Sequence, residues 1–322
     1  MHYLTDETLD RLLTYETLVP ALKRMHLKRP SDQADMLLEQ PAGGGGMDRL
    51  LNRAAWQQGE ALGVKLATIF PNNPTNGSGR PSVQGVYILF GGELGEPQAV
   101  MDALVLTWRK TAADSALGAS FLAREDAESL LMVGAGAMAP ELIRAHLSQR
   151  PSLQRFMIWN RNQAKAETLA AELSKELAGK SVSAAPDLEA AVREADIVSC
   201  ATMTEDPLIQ GAWLKPGAHL DLVGAYTPSM READDEALRR GRLYVDSRQT
   251  TIGHIGELMI PMAAGVIGEA DIQGDLFQLS EGSVAGRGSA EEITLFKNGG
   301  GGHLDLMTAR HGVERAREEG LL

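Results

Sequence analysis

A single cysteine, Cys200, stands in the 322-residue chain, which excludes an intrachain disulfide framework and a cysteine-built zinc site. Basic residues are in the minority: 31 Lys and Arg against 43 Asp and Glu give a formal charge of −12. A chain of that balance lacks the basic face that nucleic-acid phosphates need, so no nucleic-acid partner is expected. Also missing is any apolar run of about 18 residues. The most apolar late stretch, 252–267, is interrupted by His254, Glu257, Pro261 and several glycines, and no membrane span is expected. The opening Met1-His2-Tyr3-Leu4-Thr5-Asp6-Glu7 lacks the basic-then-apolar order of a secretory signal. A reduced, cytoplasmic setting is the expectation. His254 and Glu257 have no recognisable ligand partners, so no metal site is expected.

What is present is a chain long enough for two domains, each with its own core. Residues 5–27 carry Leu9, Leu12, Leu13, Leu18, Leu22 and Met25 near helical spacing. A polar stretch follows, and then Gly43-Gly44-Gly45-Gly46, a turn between strands. From Ala61 to Val100 the texture is that of antiparallel strands with long loops, ending in PQAVMDALVL; a helix is expected after Thr107. At Ser129 the texture changes to short apolar strands alternating with helices. LLMVGAG, RFMIWN, VSAAP, DIVSCAT, HLDLVGAY and RLYVD read as six strands of a parallel doubly wound sheet, the first running into a glycine turn. A last helix over about Gly302–Glu318 is expected to return to the first domain. The expected fold is α/β: a Rossmann-type domain over 121–299, and a discontinuous α+β substrate and dimerisation domain over 1–120 and 300–322.

The strongest local signal is Gly134-Ala135-Gly136-Ala137-Met138-Ala139, placed after an apolar strand and before a helix. Gly134 permits the tight turn, Gly136 lets the backbone approach a pyrophosphate, and Ala139 allows close helix–strand packing. Ala137 and Met138 lie at the helix start, where free amides face phosphate. The end of the second strand selects the dinucleotide. An acidic residue there bonds a ribose 2′-hydroxyl, whereas arginine accommodates a 2′-phosphate. The chain reads Asn160-Arg161-Asn162 with Lys165 close behind, so NADPH is favoured over NADH. If Arg161 is only a solvated surface charge, both cofactors serve. Ala201 and Thr202 end the fourth strand and Val223 the fifth, where a Rossmann sheet meets its ligand. Cys200 reads as a small packing residue, since no histidine is placed to activate it.

Several segments, in order and covering nearly the whole span from Leu62 to Gly302, resemble the ornithine cyclodeaminase/mu-crystallin family. They are GVKLATIFPNNP, PSVQGVYILFGGELGEPQAVMDALVLTWRKTAADSALGA, VGAGAMAPELIRAH, FMIWNRNQAKAE, ADIVSCAT, HLDLVGAYTPSMREADDEAL and EEITLFKNGG. The resemblance implies a homodimer paired through the strand-rich domain, with a small substrate between that domain and the Rossmann domain. It implies substrate-site roles for Lys65 in GVK and Arg109 in TWRKTAA. An arginine fork suits an α-carboxylate, and a lysine can donate to the reacting centre. Thr111 is implied to lie near the cofactor. A further amino-terminal substrate-binding cation is implied, with Lys28 and Arg29 as candidates and Arg29 nominated.

Three functions are compatible with the resemblance. One is an NAD(P)H-dependent reductase of a cyclic α-imino acid, Δ1-pyrroline-2-carboxylate to proline or Δ1-piperideine-2-carboxylate to pipecolate. The second is ornithine cyclodeaminase, using NAD to make proline and ammonia. The third is a non-catalytic NADPH-binding protein of the mu-crystallin kind. Cyclodeaminases carry an aspartate after the turn that ends the fifth strand, suited to accept a proton during deamination. Here Val223-Gly224-Ala225 is followed by Tyr226, a poor base at neutral pH that can donate a hydrogen bond or shape a wall of the substrate site. A preformed cyclic imine needs no such base, so the reductase is the expected function.

Overall fold

In the computed structural model, which describes residues 1–28 and 32–322, fourteen strands and eleven α-helices follow one another. The order is β1 (His2–Leu4), α1 (Asp6–Leu12), α2 (Tyr15–Met25), β2 (Asp32–Pro41), β3 (Met47–Gln57), β4 (Ala61–Ile69), β5 (Val83–Gly91), β6 (Pro97–Asp102) and α3 (Ala103–Leu122). Next come β7 (Ser129–Val133), α4 (Met138–Gln149), β8 (Arg155–Trp159), α5 (Gln163–Glu176), β9 (Ser181–Ala184), α6 (Leu188–Glu194), β10 (Ile197–Cys200) and β11 (His219–Leu222). The chain ends with α7 (Asp235–Arg240), β12 (Arg242–Val245), α8 (Arg248–Thr251), α9 (Gly256–Ala263), β13 (Ile272–Asp275), α10 (Leu276–Glu281), β14 (Thr294–Lys297) and α11 (Gly302–Glu318). Two units result: Met1–Lys110 with Gly301–Leu322, and Thr111–Gly300. No helix among the described residues is long and apolar enough to cross a membrane.

The first unit is a six-stranded sheet in the order β1-β6-β5-β4-β3-β2, antiparallel except for the β1–β6 pair. Its second and third strands replace the polar stretch of the sequence reading. Half-exposed strands on a sheet edge need little apolar content, and β2 is exposed along nearly its whole length. The helix expected after Thr107 starts earlier, at Ala103, so ALVL lies on a helix, with Ala103, Val105 and Leu106 buried and Leu104 exposed. The span 5–27 is two helices, separated at Leu13-Thr14. α11 packs on β3, β4 and β5, and residues 302–309 are buried throughout.

Because opposite residues of neighbouring strands share a face, the register Asp35↔Arg53↔Lys65↔Tyr87 makes one cross-strand row. Lys65 and Tyr87 in that row are buried on the side that α11 covers. The alternate row Met36↔Asn52↔Leu66↔Val86, with its neighbour Leu38↔Leu50, occupies the other face. There Met36, Leu38, Leu50 and Trp56 are exposed.

The second unit is an all-parallel sheet in the order β13-β12-β14-β11-β10-β7-β8-β9. β14 inserts between β11 and β12, and the sequence reading had named neither it nor β13 as a strand. Its interior holds polar groups as well as apolar ones. Asp221 on β11 is fully buried and accepts from Ser115 Oγ (2.8 Å), Ser199 Oγ (2.7 Å) and His146 Nε2 (3.1 Å). Donors surround that carboxylate inside the strand, so it is a structural anchor. Asp234 caps α7 by accepting from Ala237 N–H.

His219, also on β11, is fully buried and 3.0 Å from Thr294 Oγ1. Burial, opposed by Asp221 and reinforced by His146, pushes its imidazole down to about 3. An unfolded histidine takes its proton near pH 6.5. Below that pH the unfolded state therefore binds more protons than the folded one, and His219 lowers stability until about pH 3. In His219→Asn, the unfolding free energy between pH 6 and pH 4 should depend on pH less steeply, by about 1.4 kcal/mol per pH unit. Denaturant titrations of both proteins across that window check this; equal slopes would mean that native His219 carries a proton.

Candidate active site

In the second unit β7, buried at every residue, runs into Gly134 with φ of +117°. An L side chain rarely adopts that conformation, and a Cβ there would stand 2.8 Å from the Ala201 carbonyl oxygen. Gly136 is exposed, and a Cβ on it would meet nothing within 4 Å, so the backbone there lies open to a ligand. α4 starts at Met138 after Ala137, which gives its amides no side-chain cap; Ala139 is buried. A cleft of about 420 Å³ opens beside this turn, lined by Gly136 and Pro140 on one side and Asn162, Lys165 and Thr168 on the other. Open backbone, uncapped amides and an adjoining cleft fit the pyrophosphate and adenosine end of a dinucleotide. At the end of β8, Asn160 donates to the Asn162 carbonyl (3.0 Å), and Arg161 and Lys165 are exposed.

Ala201, Thr202 and Val223 are half-buried where β10 and β11 end. A residue the sequence reading passed over, Glu232, ties these two ends together. Its carboxylate accepts from Thr202 N–H (2.7 Å), Thr202 Oγ1 (2.9 Å) and Gly224 N–H (2.6 Å). Glu257 in turn accepts from Glu232 N–H (2.7 Å) and Ala233 N–H (3.0 Å). Burial raises the Glu257 carboxyl, Lys297 opposes that and Glu232 adds to it, leaving it at about 7. Cys200 is fully buried, and burial drives its thiol well above the ordinary range, which suits packing and not attack. Thr111 is half-buried, and its carbonyl accepts from Asn298 Nδ2 (3.0 Å). Tyr226 is exposed, on the segment after β11.

The first unit holds a second cluster, built from several elements. Lys65 on β4 extends to Asp305 on α11, with Nζ 2.9 Å from Oδ2 and 3.1 Å from Oδ1. Lys110 on α3 brings its Nζ to 3.7 Å from Asp305 Oδ1. All three side chains are buried. Arg53 on β3 is held by Asp35, with Nη2 2.6 Å from Oδ2. Burial pushes the Asp305 carboxyl up, but Lys110, Lys65 and Arg53 outweigh it, and the carboxyl ends below its ordinary range. His303 is buried edge-to-face against His26, with ring centroids 5.9 Å apart. Burial, His26 and Lys110 hold His303 well below its usual range, hence neutral. Tyr87 completes the wall, its phenol raised by burial and by Asp305. Two ammonium groups flanking an ionised acid can hold an anionic substrate and give it a proton.

The structure brings Lys65 into this cluster together with Lys110, which the sequence reading did not single out. Arg109 instead donates from Nη2 to Asp10 (2.5 Å) and lies over the Tyr15 ring, 4.9 Å from its centroid. Successive helical residues point about 100° apart, so one of an adjacent basic pair faces elsewhere. A signal for Lys110 did exist: it falls on the buried stripe Ala103, Leu106, Lys110, Ala113, Leu117. Asp305 left none, because every residue around it on α11 is buried and no polar face set it apart. Arg29 lies outside the described residues. Its neighbour Lys28 pairs with Glu60 and is exposed.

Residues 49–320 match the ornithine cyclodeaminase/mu-crystallin family. The Δ1-pyrroline-2-carboxylate reductase of Paracoccus denitrificans is 44% identical over 93% of this chain and 92% of its own. The fold is similar to that of the Thermococcus litoralis Δ1-pyrroline-2-carboxylate reductase in complex with NADH and L-proline. That pair has a TM-score of 0.88 and 29% identity over 99% of this chain and 98% of the other. An archaeal alanine dehydrogenase dimer with bound NAD superposes with a TM-score of 0.86 at 26% identity, over 99% and 97% of the two chains.

Proposed function

The chain belongs to the ornithine cyclodeaminase/mu-crystallin family, and on that footing we propose that it reduces a cyclic α-imino acid with a nicotinamide dinucleotide, Δ1-pyrroline-2-carboxylate to proline first of all. Δ1-Piperideine-2-carboxylate, one methylene larger, is the second substrate of the same chemistry. The observation that carries this reading is the buried Lys65–Asp305–Lys110 cluster. It offers two ammonium groups, one to meet a carboxylate and one to protonate an imine nitrogen. The dinucleotide, when bound, supplies the hydride for the imine carbon.

What the chain's own residues do follows from their placement. Lys110 takes the substrate carboxylate as a charge-assisted partner. Lys65 gives its proton to nitrogen as the C=N electron pair moves there, and water restores that proton. For Arg109 to hold the carboxylate, its guanidinium must exchange Asp10 for the substrate, whereas Lys110 already faces the cluster. Glu232 fixes the ends of β10 and β11, which border the dinucleotide. Tyr226, exposed and without a carboxylate, supplies no base for amine deprotonation, which favours a reductase over a cyclodeaminase. Assembly as a homodimer through the outer face of the first sheet accounts for the exposed Met36, Leu38, Leu50 and Trp56.

Purified protein incubated with NADPH or NADH and each cyclic imino acid tests the reading by loss of absorbance at the nicotinamide band. Consumption of both reactants with formation of the amino acid is expected; no turnover with either ring size would refute it. NADPH is the proposed preference, supported by exposed Arg161 and Lys165 at a strand end that has no carboxylate. Arg161→Ala should raise the KM for NADPH about tenfold, the effect of losing roughly 1.4 kcal/mol of charge-assisted bonding, with little change for NADH. Equal changes for the two cofactors would show that Arg161 does not read the 2′-phosphate.

A further inference from the structure

The catalytic lysine of the proposed reaction does not stand alone, and its surroundings are asymmetric. Lys65 rises from the middle of a central strand into a space closed by α11, where one carboxylate, that of Asp305, lies within 3.1 Å of its Nζ. Cations, histidines and a phenol also stand around Asp305. Lys110 comes from α3, Arg53 from β3, Tyr87 from β5, His303 from α11 itself, and His26 from the end of α2 beyond His303. With these neighbours the acid stays ionised. A carboxylate that grips Nζ through both oxygens fixes where that nitrogen sits.

We propose that Asp305 is a positioning residue for imine reduction: it holds Lys65 Nζ in place, ready to donate to the substrate nitrogen. The statement rests on the reading of Lys65 given above and adds what makes that lysine a donor. In the reaction a C–H bond forms at the imine carbon with hydride from a reduced nicotinamide. The C=N electron pair moves to nitrogen, and the proton leaves Lys65 Nζ for that nitrogen. Lys65 is left as the amine beside an ionised Asp305, a state that recovers its proton from water. Asp305 itself gives up no proton and touches no substrate atom. What the fixed anion supplies is a donor held in one place at every turnover.

The test is steady-state kinetics with Δ1-pyrroline-2-carboxylate in the parent, Asp305→Asn and Asp305→Glu, with dinucleotide affinity followed separately by nicotinamide fluorescence. Asp305→Asn should lower kcat by about thirtyfold or more, with the KM for the imino acid within about threefold and NADPH affinity within about twofold of the parent. Asp305→Glu keeps the charge but displaces it, and its kcat should stay about fivefold low or lower. Parent kcat in either variant overturns the proposal. If Asp305→Asn does not fold, the Glu variant decides alone by its kcat. A readout independent of any substrate separates this proposal from the reading beneath it. Crystal structures of the parent and the variants should show Lys65 Nζ displaced when Asp305 is replaced; an unmoved Nζ rejects the role of Asp305 even if imine reduction is established.

Discussion

Replacing Lys65 by methionine is expected to lower kcat for Δ1-pyrroline-2-carboxylate reduction about a thousandfold while leaving NADPH affinity within twofold of the parent. Methionine keeps most of the apolar stem that fills the space between β4 and α11, so the variant removes the ammonium with little change in packing. Positioned acid catalysis contributes about 10²- to 10⁴-fold, and the middle of that range fits a donor pinned within 3.1 Å of its carboxylate. The dinucleotide features lie in the other unit, on Gly134, Gly136 and the start of α4, so binding there should persist. Steady-state kinetics and nicotinamide fluorescence on one preparation separate the two effects. Parent-like turnover would return Lys65 to a buried structural ion pair.

The second large effect distinguishes two adjacent cations. Lys110→Met should lower kcat/KM for the imino acid by about thirty- to a hundredfold, as loss of a charge-assisted bond of roughly 2–3 kcal/mol requires. Arg109→Met should cost less than tenfold, because its guanidinium is engaged by Asp10 and Tyr15. The physical reason is burial. Lys110 is enclosed beside Asp305 and gains from an incoming anion in a medium of low polarity, whereas the carboxylate that Arg109 bonds is largely exposed to water. A larger loss in Arg109→Met than in Lys110→Met would restore the forked grip expected from sequence and reverse the assignment.

These two residues also show what the sequence could and could not disclose. The parallel sheet was legible because its strands are short apolar runs separated by helices. The glycine turn was legible because Gly134 has a conformation and a neighbour, the Ala201 carbonyl, that exclude a side chain. Two strands, β2 and β3, were announced only by the glycine turn between them; their extent was hidden by their polarity, a consequence of one exposed face and a sheet edge. β14 was hidden by topology, since nothing local announces that a late strand inserts between β11 and β12. In the proposed site, Lys65 was nominated through its motif. Asp305 was not, because the partner of a buried lysine lies 240 positions away in sequence and only the fold brings it near. Glu232 escaped for the same reason: its role is to receive backbone amides at Thr202 and Gly224, and amides leave no trace in sequence.

The chain's central property, on this account, is that it takes a ready-made cyclic imine. The family resemblance puts Tyr226 where cyclodeaminases carry an aspartate, and Asp221, the nearest acid on the same strand, is enclosed by Ser115, Ser199 and His146. The most direct measurement compares two initial rates on one enzyme preparation. One is Δ1-pyrroline-2-carboxylate reduction with NADPH; the other is ammonia release from L-ornithine with NAD. The account predicts rapid imine reduction with proline as product, and ammonia release lower by at least about a thousandfold, the scale of a missing general base. Ammonia release at a rate comparable to imine reduction would contradict it.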